Sequence, residues 1–415
     1  MENIELDGDW ELQGNDEQGT ALRLPATVPG CVHLDLLAAE RLPDLWYRDN
    51  ELQHHWVCER DWSWQREFEL AERHLDYPSI QLHCDGLDTL AQVLVNGEEI
   101  LRADNMFRRW VVELRPHLQP GRNRIEVRCA SPIPAMQAGD ERFHLHAWNL
   151  QHADFAGKSW LRKMACSFGW DWGPRAPTAG IYRPIRLECR RARLDDVYID
   201  QDHHDGSVDL HLRADTADAG DRRCRWQLWH EGRLLTEADG ANTTLAVPEP
   251  QLWWPNGMGA QPLYTVLVEL LDEEGRVLDR QRRRIGLRTM ALQRQADQWG
   301  ESFQFAVNGR PVFAKGANWI PADTFLPRLR RADFGRLLGD AAAAHMNIIR
   351  CWGGGVYEEA AFYETCDELG LLVWQDFMFA CSTYPSFDAD WLANVEAEAR
   401  DNLRRLRHHP CIALW

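Results

Sequence analysis

The sequence predicts a multidomain chain: a large antiparallel β-sandwich, a smaller immunoglobulin-like sandwich, and then parallel βα units forming either an open sheet or a (β/α)8 barrel. Three observations carry this reading. Strand-like runs with turn signals fill the chain to about residue 190, shorter strands fill 191–290, and from 291 buried strands alternate with amphipathic helices. The length of 415 residues suits several domains better than one continuous core.

In the 1–190 block, "LAQVLVNGEEILRADN" places two extended runs around Asn96-Gly97, a hairpin signal because both positions tolerate positive φ. "GRNRIEVRCA" is a further period-two strand opened by a glycine. In the 191–290 block, "DDVYID", "GSVDLHLRA", "RCRWQLWHEGRLLTEA" and "PLYTVLVELLDEEGRVLDRQRRRIGLR" read as short strands with turns at His230-Glu231-Gly232 and Glu273-Glu274-Gly275. The 291–415 block starts extended at "RPVFAKGANW". Phe334, Leu337, Leu338 and Ala341 then fall at helical spacing, "NIIRCW" is a buried strand, and Phe362, Cys366 and Leu369 share one face of a helix closed by Gly370. "LLVWQDF" is a third strand. A long helix carrying Trp391, Val395, Ala399, Leu403 and Leu406 leads to Pro410, and "CIALW" begins a fourth.

A net charge of −18 argues against a nucleic-acid partner, which would need clustered Lys and Arg on its surface. No apolar run is long enough for a transmembrane helix, so no membrane partner is expected. The opening "MENIELDGDWEL" has neither a basic nor an apolar leader region, and eleven scattered cysteines form no CxxC pattern; a reducing, cytoplasmic location is expected. Twenty tryptophans suit either large sandwich cores or sugar-stacking platforms.

Several signatures are excluded by inspection. "GKS" at 157–159 lacks the earlier glycine of a phosphate loop, and "ACSFG" has alanine where a nucleophile elbow needs glycine. The pairs His54-His55, His203-His204 and His408-His409 are sequence neighbours whose side chains point apart, so no metal is expected, and nothing calls for a cofactor.

Two stretches remain. In "CSFGWDWGPRAPTAGIYRP", Asp171 stands between Trp170 and Trp172 in a loop bracketed by Gly169, Gly173 and Pro174. It is either a sandwich corner whose carboxylate accepts backbone N–H groups, or a sugar site in which aromatic faces pack on C–H groups and the carboxylate takes hydroxyl hydrogens. In "IIRCWGGGVYE", Arg350 and Trp352 end a parallel strand before three glycines, a place where chemistry is put in barrels; a phosphate nest is the alternative, though Val356 and Tyr357 interrupt it. Asp376 and Cys381 follow the next strand in the same way, Cys381 as a pocket wall.

The segments "RKMACSFGWDWGPRAPTAGIYRP", "VNGRPVFAKGANWIPADTFLPR" and "NIIRCWGGGVYE" together resemble the β-mannosidases of glycoside hydrolase family 2, and the resemblance runs from "LDGDWEL" onward. It implies a sugar-binding-like jelly-roll domain over 1–190, an immunoglobulin-like domain over 191–290 and the first half of a (β/α)8 barrel over 291–415. It also implies removal of terminal β-mannose from oligosaccharides by a retaining mechanism, with a β-mannoside oligosaccharide as partner. By this resemblance Trp170, Asp171 and Trp172 reach from the first domain to the sugar, Trp352 and Cys381 line its pocket, and Arg350 steadies a nucleophile. The family's two catalytic glutamates lie beyond strand four, so the chain is expected to be an N-terminal portion without them. A related family 2 enzyme (β-glucosaminidase or β-galactosidase) and a non-catalytic carbohydrate-binding protein are the other readings.

Overall fold

A computed structural model describes residues 2–147, 155–217 and 222–415. The first unit stacks two antiparallel sheets. The larger runs in the spatial order Ala21–Val28, Gly8–Asn15, Trp62–Leu70, Gly121–Cys129, Ala91–Val95, Glu98–Ala103. The smaller runs Glu2–Glu5, Ile185–Arg190, Ser79–Cys84, Trp110–Glu113. Its first strand therefore pairs with its last, which ties both ends of the unit together. Alternation does the sorting: along Gly121–Cys129 residues Asn123, Ile125, Val127 and Cys129 point inward and their neighbours outward. Each fully buried aliphatic side chain there contributes about 1.5–3 kcal/mol. Trp62 and Trp64 fill the widest part of the core, and their indole N–H groups are satisfied by the Val57 carbonyl at 2.9 Å and the Asp35 carboxylate at 3.0 Å. Helices α1 (Val32–Ala38) and α2 (Pro132–Arg142) flank the sheets, α2 capped by Ser131, whose Oγ accepts from the Ile133 N–H.

Among the described residues the second unit has seven strands in two sheets. Arg193–His204, Ser207–Ala217 and Asn242–Pro248 form one; Arg233–Asp239, Arg223–His230, Tyr264–Leu271 and Val277–Ile285 form the other. Trp226, Leu228, Val266 and Val268 meet Leu210, Leu212 and Leu245 between them. Both expected turns carry positive φ, at Glu231-Gly232 and at Gly275.

A short antiparallel sheet follows (Met290–Gln293, Gln304–Val307, Arg310–Val312), its hairpin closed by Asn308-Gly309 with φ of 50° and 74°. Four parallel strands then run in sequential order: Gly316–Trp319, Ile348–Cys351, Leu372–Gln375 and Ile412–Leu414. Helices α3 (Arg331–Ala343), α4 (Ala360–Leu369) and α5 (Ala389–Leu406) connect them. The α3 and α4 stripes read from the sequence face this sheet, and α5 adds its last residue: Phe334, Leu338, Phe362, Cys366 and Leu406 pack against Ile349, Cys351 and Val373. Gly370 closes α4 with φ of 72°. No helix among the described residues is long and apolar enough to cross a membrane.

The parallel sheet is fastened to both sandwiches. The Trp253 indole donates to the Asp367 carbonyl at 2.8 Å, and Arg288 reaches the carbonyls of Pro410 (2.9 Å) and Ile412 (2.5 Å). On the other side, buried Asn402 of α5 donates to the Phe107 carbonyl of the first unit at 2.8 Å.

Candidate functional site

The segment between helix α2 and the last strand of the first unit, Ile185–Arg190, reaches onto the parallel sheet. Cys166 N–H donates to the Gly354 carbonyl at 3.0 Å, so the backbone of the "CSFGWDWG" loop lies directly on the glycine run that follows Ile348–Cys351. Close packing against the loop after the third parallel strand and against Trp352 explains two of the glycines. A Cβ at Gly353 would meet the Phe377 and Phe379 carbonyls at 2.6 and 2.4 Å, and one at Gly354 would meet the Trp352 ring at 2.0 Å.

On this junction the structure brings together three of the residues singled out by the sequence. The Trp170 ring packs edge-to-face on Trp352 with centroids 4.8 Å apart, and Trp172 does the same at 5.8 Å. Trp170 and Gly173 exchange backbone hydrogen bonds of 3.0 and 3.3 Å, a tight turn with Asp171 and Trp172 at its tip. Asp171 is exposed and its carboxylate accepts no backbone N–H from a described residue, so it does not act as a corner brace. Trp172 stays 43 % exposed, a large aromatic face offered to solvent.

Arg350 sits two residues before Trp352, and its guanidinium forks onto Asp376 at 2.6 and 3.1 Å while a third contact reaches Asn318 at 3.1 Å. Asp376 also accepts the Gly353 N–H at 3.1 Å, so one carboxylate orients both the arginine and the glycine run. Cys381 is exposed, in a left-handed turn at φ 47°. Buried Lys158 stands beside the tryptophans, its ammonium 5.7 Å from the Trp170 ring centroid. Burial pulls Lys158 down to about 8, with the Cys166 and Cys381 thiols opposing. The sequence offered Lys158 only as part of a failed phosphate-loop pattern, because its role depends on a contact with a neighbouring ring.

Glu358 was not singled out by the sequence either. It is 2 % exposed, its carboxylate accepts the Trp319 indole N–H at 2.9 Å, and burial pushes it up to about 7, the Trp319 bond opposing and the Glu359 charge adding. Its folded value lies above its ordinary one near 4.5, so the native state holds a proton that the unfolded chain has released. The stabilisation is complete below pH 4.5 and is lost as pH rises to about 7, with a slope of at most about 1.4 kcal/mol per pH unit. Thermal midpoints recorded across that window are expected to fall with pH in the native protein and to flatten in Glu358→Gln; equal slopes would contradict the assignment.

The buried group Asp367, His409 and Cys411 has donor atoms within 4.8 Å of one another, but its contacts are already hydrogen bonds: His409 Nδ1 to Asp367 at 2.6 Å and Cys411 N–H to Asp367 at 3.1 Å. Arg288, buried nearby, supplies the positive charge there.

Residues 10–183 match the glycosyl hydrolase 2 galactose-binding domain-like family and residues 192–288 match glycosyl hydrolases family 2. The chain is 36 % identical over 419 residues to beta-mannosidase B of Emericella nidulans, covering 98 % of this chain and 49 % of that protein. It is 34 % identical to the beta-mannosidase of Bos taurus, over 100 % of this chain and 49 % of that one. Among solved structures it resembles the beta-D-mannosidase of Dictyoglomus thermophilum, with a TM-score of 0.92 and 39 % identity over 99 % of this chain and 51 % of that chain. The chain thus spans about half the length of the curated relatives it matches.

Proposed function

The chain belongs to glycoside hydrolase family 2, and from that premise we propose that it carries the sugar-holding side of a β-mannosidase site, serving the release of terminal β-mannose from oligosaccharides by a retaining mechanism. The observation that carries the proposal is the junction of Trp170, Trp172 and Trp352, with the exposed Asp171 on the same turn. Apolar C–H faces of a hexose pack on indole rings, and a charged acceptor among them takes two sugar hydroxyls. In this reading residues 1–190 are a sugar-binding-like jelly roll, 191–290 an immunoglobulin-like sandwich, and the four parallel strands of 291–415 the first half of a (β/α)8 barrel. Arg350 lies at the C-terminal end of its second strand, and Trp352 and Cys381 follow the second and third strands, the face on which barrels place their chemistry. Arg350 holds its fork through Asp376, and Lys158 adds positive charge beside Trp170.

Binding of non-hydrolysable β-mannoside, β-glucoside and β-galactoside analogues, followed by calorimetry, tests the assignment; the mannoside is expected to bind best, and preference for either other sugar would contradict it. Asp171→Ala removes charged hydrogen bonds worth about 1.5–3 kcal/mol. Mannoside affinity is therefore expected to fall roughly ten- to hundredfold. An exposed loop residue contributes little to stability, so the melting temperature should hold. A large drop in melting temperature with affinity intact would make Asp171 a structural residue.

A further inference from the structure

A cleft of about 980 Å³ lies away from the tryptophans, where the two sandwiches meet helix α5. Eleven arginines and six carboxylates line it, in a chain whose net charge is −18. The first unit contributes Arg108 and Arg109, the second Arg282 and Arg283, and α5 Arg405. Most of the eleven are neutralised by ion pairs such as Arg109–Asp401 at 2.5 Å and Arg404–Asp196 at 3.3 Å. Arg108, Arg282, Arg283 and Arg405 have no carboxylate partner among the described residues.

Their remaining contacts are to neutral acceptors. Arg283 donates to the Arg282 carbonyl at 3.0 Å and to Gln281 Oε1 at 2.6 Å; Arg405 donates to the Glu358 carbonyl at 2.9 Å and Asn402 Oδ1 at 3.2 Å. Arg108 lies over the Trp110 ring at 4.4 Å with a buried Nε that lacks a partner. His408, 9 % exposed, lines the same cleft with neither ring nitrogen hydrogen-bonded. Burial first, and then the Arg109 and Arg407 charges with the Asp196 carboxylate opposing, draws the Arg283 guanidinium below its usual range. Such a cluster costs free energy unless a counter-charge enters, and guanidinium forks match the oxygens of phosphate groups.

We propose that this three-way cleft is a binding site for a multiply charged oxyanion of the phosphate class, which joins the two sandwiches and α5 by neutralising Arg108, Arg283 and Arg405. A ligand of this kind binds only the assembled arrangement, so it stabilises the protein by mass action.

Inorganic pyrophosphate is the probe, tested by thermal unfolding and calorimetry against sodium chloride of equal ionic strength. Pyrophosphate is expected to raise the melting temperature by several degrees where chloride does not. Arg283→Gln is expected to weaken binding about tenfold or more. Arg400→Gln, on an exposed arginine already paired with Glu396, is the control and should change it less than about twofold. Arg108→Gln, on the opposite wall, repeats the test if Arg283→Gln does not fold in chloride. Absence of binding by the native protein, a chloride effect equal to that of pyrophosphate, or undiminished binding in the folded variants would overturn the site.

Discussion

Glu398→Ala is expected to cost about 3–5 kcal/mol, because it leaves a buried guanidinium without its counter-charge. Arg162 and Glu398 have side chains 2 % and 1 % exposed. Glu398 accepts from Arg162 at 2.7 and 2.8 Å, from Asn105 at 2.9 Å and from the Tyr357 hydroxyl at 3.1 Å. Arg162 also donates to the Met378 carbonyl at 3.0 Å and lies between the rings of Phe107 and Phe379. Burial disfavours its charge, yet the Glu398 carboxylate overrides this and raises it. This network joins the first unit to α5, and Arg162 begins the segment that ends in Trp170 and Asp171. The variant should therefore lower the unfolding midpoint and loosen the tryptophan turn together. Replacing both partners by apolar residues, Arg162→Met with Glu398→Leu, is expected to be milder than either single change. A loss under about 1 kcal/mol for Glu398→Ala would mean the pair is solvated like a surface bridge.

The elements whose signal is local were legible in the sequence. Asn96-Gly97 has φ of 51° and 88° at its hairpin, the α3 and α4 stripes face the sheet, and "CIALW" contains the strand Ile412–Leu414, whereas of the α5 stripe only Leu406 joins the sheet core and the helix buries Trp391, Glu398 and Asn402 instead of Val395, Ala399 and Leu403. Asn308-Gly309 carries the same turn signal and closes a hairpin within a segment that reads merely as extended. What pairs across long distances was not legible: nothing near Glu2–Glu5 announces that its partner is Ile185–Arg190.

The site divides the same way. Trp170, Asp171, Trp172, Arg350 and Trp352 stood out because rare residue types were packed between glycines, and the three tryptophans do meet. Tryptophan count alone could not select them, since Trp62, Trp64, Trp226 and Trp253 are fully buried core residues. Lys158, Glu358 and Glu398 escaped notice because their significance comes from burial and from partners far along the chain, such as Arg162 for Glu398, neither of which leaves a local pattern. The arginines of the three-way cleft are scattered over three units and disappear into an acidic total.

Residues 1–415 are expected to bind a mannoside without hydrolysing it. Retaining hydrolysis needs two carboxyl groups about 5–5.5 Å apart on either side of the glycosidic bond. Among the described residues around the tryptophan junction the carboxylates are otherwise placed. Asp376 is locked to Arg350 and Gly353, Glu358 is sealed beneath Trp319, Glu359 pairs with Arg183 at 2.6 Å, and Asp171 stands alone at an exposed tip. Groups that act as a unit give up orders of magnitude in rate when the unit is missing. A protein made of residues 1–415 should be incubated with an aryl β-mannoside while release of the aryl alcohol is followed. The rate is expected to equal that of buffer alone, even at concentrations where binding is saturated. Turnover above buffer that vanishes in Asp171→Ala or Asp376→Ala would contradict the claim and place the catalytic pair within these residues.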